Sequence, residues 1–150
     1  MQNLKILNNK EVKKIKKELK KNYGSEEDLD FVFFKSSKDK IYLLGKKFAE
    51  LNDKGLRINN LGLYFGKFEK DGIRLSIEGA QMIKPKKNII DLDKNEIKEW
   101  MNGKDIKCDK EIKGYAIIKY NQDAYGVGKI KDGMILNFVP KFRRIKSEAV

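Results

Sequence analysis

Tyr125-Gly126-Val127-Gly128-Lys129-Ile130-Lys131-Asp132-Gly133-Met134-Ile135-Leu136-Asn137-Phe138-Val139 decides how the end of this chain folds. Two apolar runs flank Asp132-Gly133, a dipeptide that tolerates the positive φ of a tight turn, so the segment folds back on itself as a hairpin. After Pro140, cations and apolar residues interleave in Lys141-Phe142-Arg143-Arg144-Ile145-Lys146, which predicts a closing basic strand. Between residues 125 and 146, Lys129, Lys131, Lys141, Arg143, Arg144 and Lys146 stand against Asp132 alone. A surface of that kind attracts phosphate.

Upstream of the hairpin, further short strands are expected at 106–108 and 114–120. Ile89-Ile90-Asp91-Leu92 reads as another strand. Asp93 then caps a helix with Glu96 at the capping-box position, Ile97, Trp100 and Met101 facing inward, and Asn102-Gly103 stopping it. Many short strands with one helix suggest a partly closed barrel. The proline in Ile83-Lys84-Pro85-Lys86-Lys87 marks a boundary, dividing the chain into 1–84 and 85–150.

The first of these units is expected to be a helix-covered antiparallel sheet. Val12, Ile15, Leu19 and Tyr23 recur at helical spacing, with Asn8 or Asn9 as cap and Gly24 as stop. Lys13, Lys14, Lys16, Lys17, Lys20 and Lys21 occupy the other face, where a solvated face is the ordinary reading of a charge run. Phe31 to Phe34 and Ile41 to Leu44 pair as a hairpin. A short helix is expected around Phe48, Ala49 and Leu51, and Leu61 to Phe68 turns at Asp71-Gly72 into Ile73-Arg74-Leu75.

Composition narrows the chemistry. At 150 residues and 40% hydrophobic content the chain can bury a core despite being 37% charged. Its 34 Lys and Arg against 22 Asp and Glu give +12, which favours polyanionic partners, nucleic acid first. No stretch approaches the roughly 18 apolar residues of a membrane span, and the first ten residues lack a signal peptide's apolar core, so a cytoplasmic protein with no membrane partner is expected. The Lys, Glu and Ile usage is that of a thermophile or of AT-rich coding.

Histidine is absent and Cys108 is the only cysteine, which argues against a disulfide, a zinc site and a base-activated nucleophile. Gly128-Lys129 is not a phosphate loop, because Asp123 stands where its first glycine belongs and Ile130 where Ser or Thr belongs. Gly126-Val127-Gly128 lacks the third glycine of a dinucleotide fingerprint; strand curvature or close approach of an RNA backbone is the reading of these glycines. The acidic run Glu26, Glu27, Asp28 and Asp30 reads as a polar cap or loop. No catalytic residue, metal site or cofactor is expected. Trp100 belongs to a core by its spacing, whereas Phe138 and Phe142 leave open which one is buried and which one is free to stack on a base.

Gly114 to Ile118, Tyr125 to Lys129, and Asn137-Phe138-Val139-Pro140-Lys141-Phe142-Arg143-Arg144 together resemble the PUA-like RNA-binding tail of NOL/NOP/Sun (Fmu) ribosomal RNA cytosine methyltransferases. Leu61 to Phe68 and Ile73 to Ile77 look like the middle of Nip-type ribosome biogenesis factors, which join an α/β domain to a C-terminal PUA domain. The resemblance implies an α+β chain: a pre-PUA domain, then a small, mostly-β PUA-like pseudo-barrel. It assigns RNA contacts to the Asn102-Gly103-Lys104 loop and to Lys141, Arg143 and Arg144. With the basic hairpin, the candidate RNA-binding set is Lys104, Lys129, Lys131, Asn137, Lys141, Arg143, Arg144 and Lys146. The methyltransferase half of the NOL/NOP/Sun proteins has no counterpart, so the expectation is a non-catalytic factor binding ribosomal RNA, with pre-ribosomal proteins as further partners. The alternative is an adaptor that docks a separate RNA-modifying enzyme on its substrate.

Overall fold

A computed structural model of the chain describes residues 4–46 and 62–145. The helix expected around Phe48 to Leu51 and the candidate Lys146 lie outside the described residues. The fold is α+β. In the first half, β1 (Leu4–Ile6), β2 (Phe31–Ser36), β3 (Lys40–Gly45), β4 (Leu63–Glu69) and β5 (Gly72–Leu75) form an antiparallel sheet in sequence order. Helix α1 (Asn9–Tyr23) lies on it and buries Ile15, Leu19 and Tyr23 against Phe33, Ile41, Phe65 and Ile73. Asn8 and Glu11 make a capping box at its start, each side chain satisfying the other residue's amide.

The second half is a curled mixed sheet. It contains β6 (Ile89–Asp91), helix α3 (Lys94–Met101), β7 (Ile106–Lys107), β8 (Tyr115–Tyr120), β9 (Asp123–Lys131) and β10 (Met134–Asn137), with strand order β6-β8-β9-β10-β7. Only the β6–β8 pair among its neighbours is parallel. At the β9–β10 turn Asp132 and Gly133 have φ of 53° and 76°, the two successive positive values of a type I′ hairpin. The Asp71-Gly72 turn is shifted by one residue: Gly72 already pairs with Glu69 and opens β5.

Two elements differ from the sequence expectation. Helix α2 (Ile77–Met82) was not expected; Ser76 caps it, its hydroxyl accepting from the Gly79 amide at 2.9 Å. The basic run after Pro140 is not a strand. Lys141–Arg143 form one 3-10 turn closed by the Arg143 amide donating to the Pro140 carbonyl at 2.9 Å, because Pro140 has no N–H to give a ladder.

One core crosses the two halves. Tyr115, Ile117, Ala124 and Val127 of the second sheet pack in the same cluster as Tyr23, Phe65 and Ile73. Ile77 of α2 packs with Trp100, Ala116 and Ile118, and Gln81 of α2 donates to the Ala124 carbonyl at 3.1 Å. The C-terminal end of α1 is where these pieces meet. The Tyr23 hydroxyl donates to the Ile73 carbonyl at 2.6 Å, and the Tyr23 carbonyl accepts from the amides of Lys86 (2.8 Å) and Lys87 (3.3 Å). Asn22 donates to the Tyr115 carbonyl at 3.0 Å, and the Asn88 side chain donates to the carbonyl of Asn22.

Replacing Tyr23 with Phe deletes the partner of a buried carbonyl and is expected to cost about 1–3 kcal/mol in urea unfolding. Burial also holds the Tyr23 hydroxyl neutral well above its ordinary value of 10.0. Its contribution is therefore whole below pH 10 and declines as pH rises beyond it, since only the unfolded chain ionises there. Between pH 10 and 11 the Tyr23→Phe variant should lose stability less steeply than the parent, by up to about 1.4 kcal/mol per pH unit. Burial raises Tyr42, Tyr64 and Tyr115 as well, so part of the alkaline decline persists.

Candidate nucleic-acid interface

Helix α3 begins with an Asp93–Glu96 capping box and ends at Asn102, so the Asn102-Gly103-Lys104 loop is fixed by the helix before it. The amides of Gly103 and Lys104 donate to the carbonyls of Trp100 (2.9 Å) and Glu99 (3.0 Å). Trp100 anchors this end: it is fully buried, and its indole N–H donates to the Tyr125 carbonyl at 3.0 Å. Gly128 makes room for that ring. A Cβ there would fall 2.3 Å from Ile135 Cγ2 and 2.9 Å from Trp100 Cη2, so the close approach this glycine permits is to the protein's own core and not to an RNA backbone.

The tail runs alongside this loop. Asn137 joins them: its amide nitrogen donates to the carbonyls of Trp100 (2.7 Å) and Lys104 (2.8 Å), and its amide oxygen accepts from Val139 at 2.7 Å. Its backbone N–H donates to Asp105 at 2.9 Å. The Ile145 amide donates to the Met101 carbonyl at 2.7 Å. Arg144 donates through Nε to the Val139 carbonyl at 3.0 Å and lies directly over Gly103, where a Cβ would come within 2.3 Å of Nε. Gly103 has φ of 89°, so a side chain at this position would be strained and would also displace the guanidinium.

The eight candidate residues therefore separate. Lys104, Lys141 and Arg144 sit on the α3 loop and on the tail laid against it, all exposed. Asn137 spends its side chain on main-chain groups of Trp100, Lys104 and Val139. Lys129 and Arg143 are ion-paired across the halves, with Asp71 and Glu78. The hydrogen bond from Lys129 holds the Asp71 carboxyl below the usual carboxylate range, and Asp71 in turn raises Lys129. Lys131 is exposed beside the β9–β10 turn. Sequence reading missed these acidic partners because Asp71 lies 58 residues from Lys129, and Glu78 lies 65 from Arg143. Of the two aromatics, Phe138 packs edge-on to Tyr115 at 5.9 Å with Arg74 over its ring at 4.7 Å, whereas Phe142 is 85% exposed. Among the described residues no three His, Cys, Asp or Glu side chains converge as a metal site, and no helix is long and apolar enough to cross a membrane.

Residues 87–145 match the family model described as the methyltransferase RsmF PUA domain. The curled sheet of the C-terminal half is a PUA-like pseudo-barrel in its fold. The ribosomal RNA small subunit methyltransferase F of Vibrio vulnificus (strain YJ016) is 27% identical over 88 residues, covering 57% of this chain and 19% of that protein. The protein of the same name from Aeromonas salmonicida (strain A449) is 28% identical over 106 residues, covering 69% of this chain and 22% of that protein. An alignment of 106 residues cannot fit within 87–150, so the likeness reaches back into the first half. The matched segment spans about a fifth of the length of these relatives.

In the PUA-like half, Asn137→Ala removes two hydrogen bonds from the tail to the end of α3 and its loop, and a third within the tail, and is expected to cost about 2–3 kcal/mol. Lys131→Ala, on the exposed hairpin, should stay within about 0.5 kcal/mol of the parent. Urea unfolding of the two variants side by side checks both.

Proposed function

We propose that the chain is a non-catalytic RNA-binding factor that engages structured ribosomal RNA in the cytoplasm, in ribosome biogenesis or in rRNA processing or modification. The observation that carries this reading is Arg144 laid over Gly103 beside Lys104, with Lys141 exposed on the same short tail. Cations placed on fixed backbone position phosphates, while the neighbouring amides and polar groups read RNA shape and 2′-hydroxyls. The net charge of +12 supports the same partner. The absence of histidine, which leaves the partly exposed Cys108 without an imidazole to activate it, supports a role without catalysis. A second reading, an adaptor that brings RNA to a separate modifying enzyme, draws support from the relatives' names: they are methyltransferases that this chain matches over about a fifth of their length.

Replacing Lys104, Lys141 and Arg144 together with Ala should weaken binding to a structured rRNA fragment. It should also flatten the dependence of log affinity on log salt by roughly 0.7 to 0.9 for each phosphate the protein no longer neutralises. Fluorescence anisotropy at several salt concentrations measures both. An unchanged affinity in a folded triple variant would sink the proposal.

A further inference from the structure

A cavity of about 340 Å³ opens between the two halves. Leu63, Tyr64 and Arg74 line it from the first sheet, and Phe138, Pro140 and Phe142 from the tail of the second. Its volume is at the low end of small-ligand sites, which suits one planar group. Phe142 contributes little to the core, since 85% of its surface is exposed, yet it sits at the cavity edge between Lys141 and Arg143. The turn that carries it is held in place: Arg143 pairs with Glu78 of α2, its amide closes the turn on Pro140, and Ile145 bonds to Met101 at the end of α3.

Arg74 and Arg143 in its wall are paired with Glu69 and Glu78, whereas Lys141 and Arg144, exposed next to Phe142 along the chain, make no ion pair among the described residues. Apolar and aromatic walls with such cations nearby match one occupant in particular. A nucleobase offers a π-face to an aromatic ring, and its phosphates fall on the flanking positive charges. An apolar peptide would use the walls and leave Lys141 and Arg144 idle. A base inside a duplex is stacked on both faces and cannot enter such a cleft.

We propose that this cleft takes one unpaired base of an RNA, stacked on Phe142, with the adjoining phosphates on Lys141 and Arg144. The inference rests on the RNA-binding reading above and adds a preference for unpaired nucleotides.

The test uses the full chain with two labelled probes: a single-stranded oligoribonucleotide and a blunt RNA duplex of the same sequence. Phe142→Ala should weaken single-strand binding by about 5- to 100-fold, with an unchanged salt slope, because stacking releases no counterions. Duplex affinity should be unchanged, and Phe142→Tyr should bind the single strand like the parent. If Phe142→Ala binds both probes as tightly as the parent, the inference is overturned: RNA binding stands and a protein segment becomes the better occupant. Equal weakening on both probes overturns it too. A parent that binds the structured rRNA fragment but not the single strand overturns it as well, whereas a parent that binds none of the three removes the RNA-binding reading itself.

Discussion

The last turn of α1 fixes the relation between everything that precedes it and everything that follows. Asn22 and Tyr23 use two side chains and two carbonyls to hold β5, the 86–88 connection and β8. Each bond is worth about 1 kcal/mol net, but each also satisfies a polar group at the junction that would otherwise cost more to leave unpaired. The Gly114 approach is part of the same joint, since a Cβ there would fall 2.6 Å from Asn22 Oδ1. With this end in place, β8 can share a core with the first sheet, and the two halves bury Ile117 and Val127 together with Phe65 and Ile73.

That shared core decides which cations remain for a ligand. Lys129 and Arg143 sit on the inner edge of the second half and meet acidic residues of the first, so their charges are compensated before any RNA arrives. Exposed pairs of this kind contribute little stability. Their effect is positional: Arg143 ties the tail to α2, next to Phe142 at the edge of the cleft.

How far the sequence could be read depended on the range of the interactions. Local ones were legible: the capping boxes of Asn8 with Glu11 and Asp93 with Glu96, the Asp132-Gly133 hairpin and the inward face of Ile97 and Trp100 all act within a few residues. Helix α2 was not, because six residues interrupted by Gly79 show less than two turns of periodicity. The tail misled for the opposite reason. Lys141-Phe142-Arg143 alternates like a strand, yet Pro140 closes a turn and β10 already has β9 and β7 as neighbours. The convergence of the Gly103 loop with the tail, expected from family resemblance alone, arises here from Asn137, whose hydrogen bonds span more than thirty positions.

Arg144 shows how this geometry serves binding. Its Nε is committed to Val139 and its guanidinium lies over Gly103, so the plane of the fork is set by backbone on both sides. Among the described residues the two terminal nitrogens have no hydrogen-bond partner, which leaves donors suited to a bidentate anion. A free arginine loses rotamer entropy when it grips a phosphate, on the order of 0.5–1.5 kcal/mol for a rotamer-rich side chain. Here part of that cost is met during folding. A glycine at 103 is the condition for it, because any Cβ would lift the guanidinium off the loop and return the arginine to solvent. Preorganisation, more than the count of positive charges, therefore separates Arg144 from the lysines of α1, which are equally exposed but lie on a helix face whose neighbours include Asp28 and Glu26 as counter-charges.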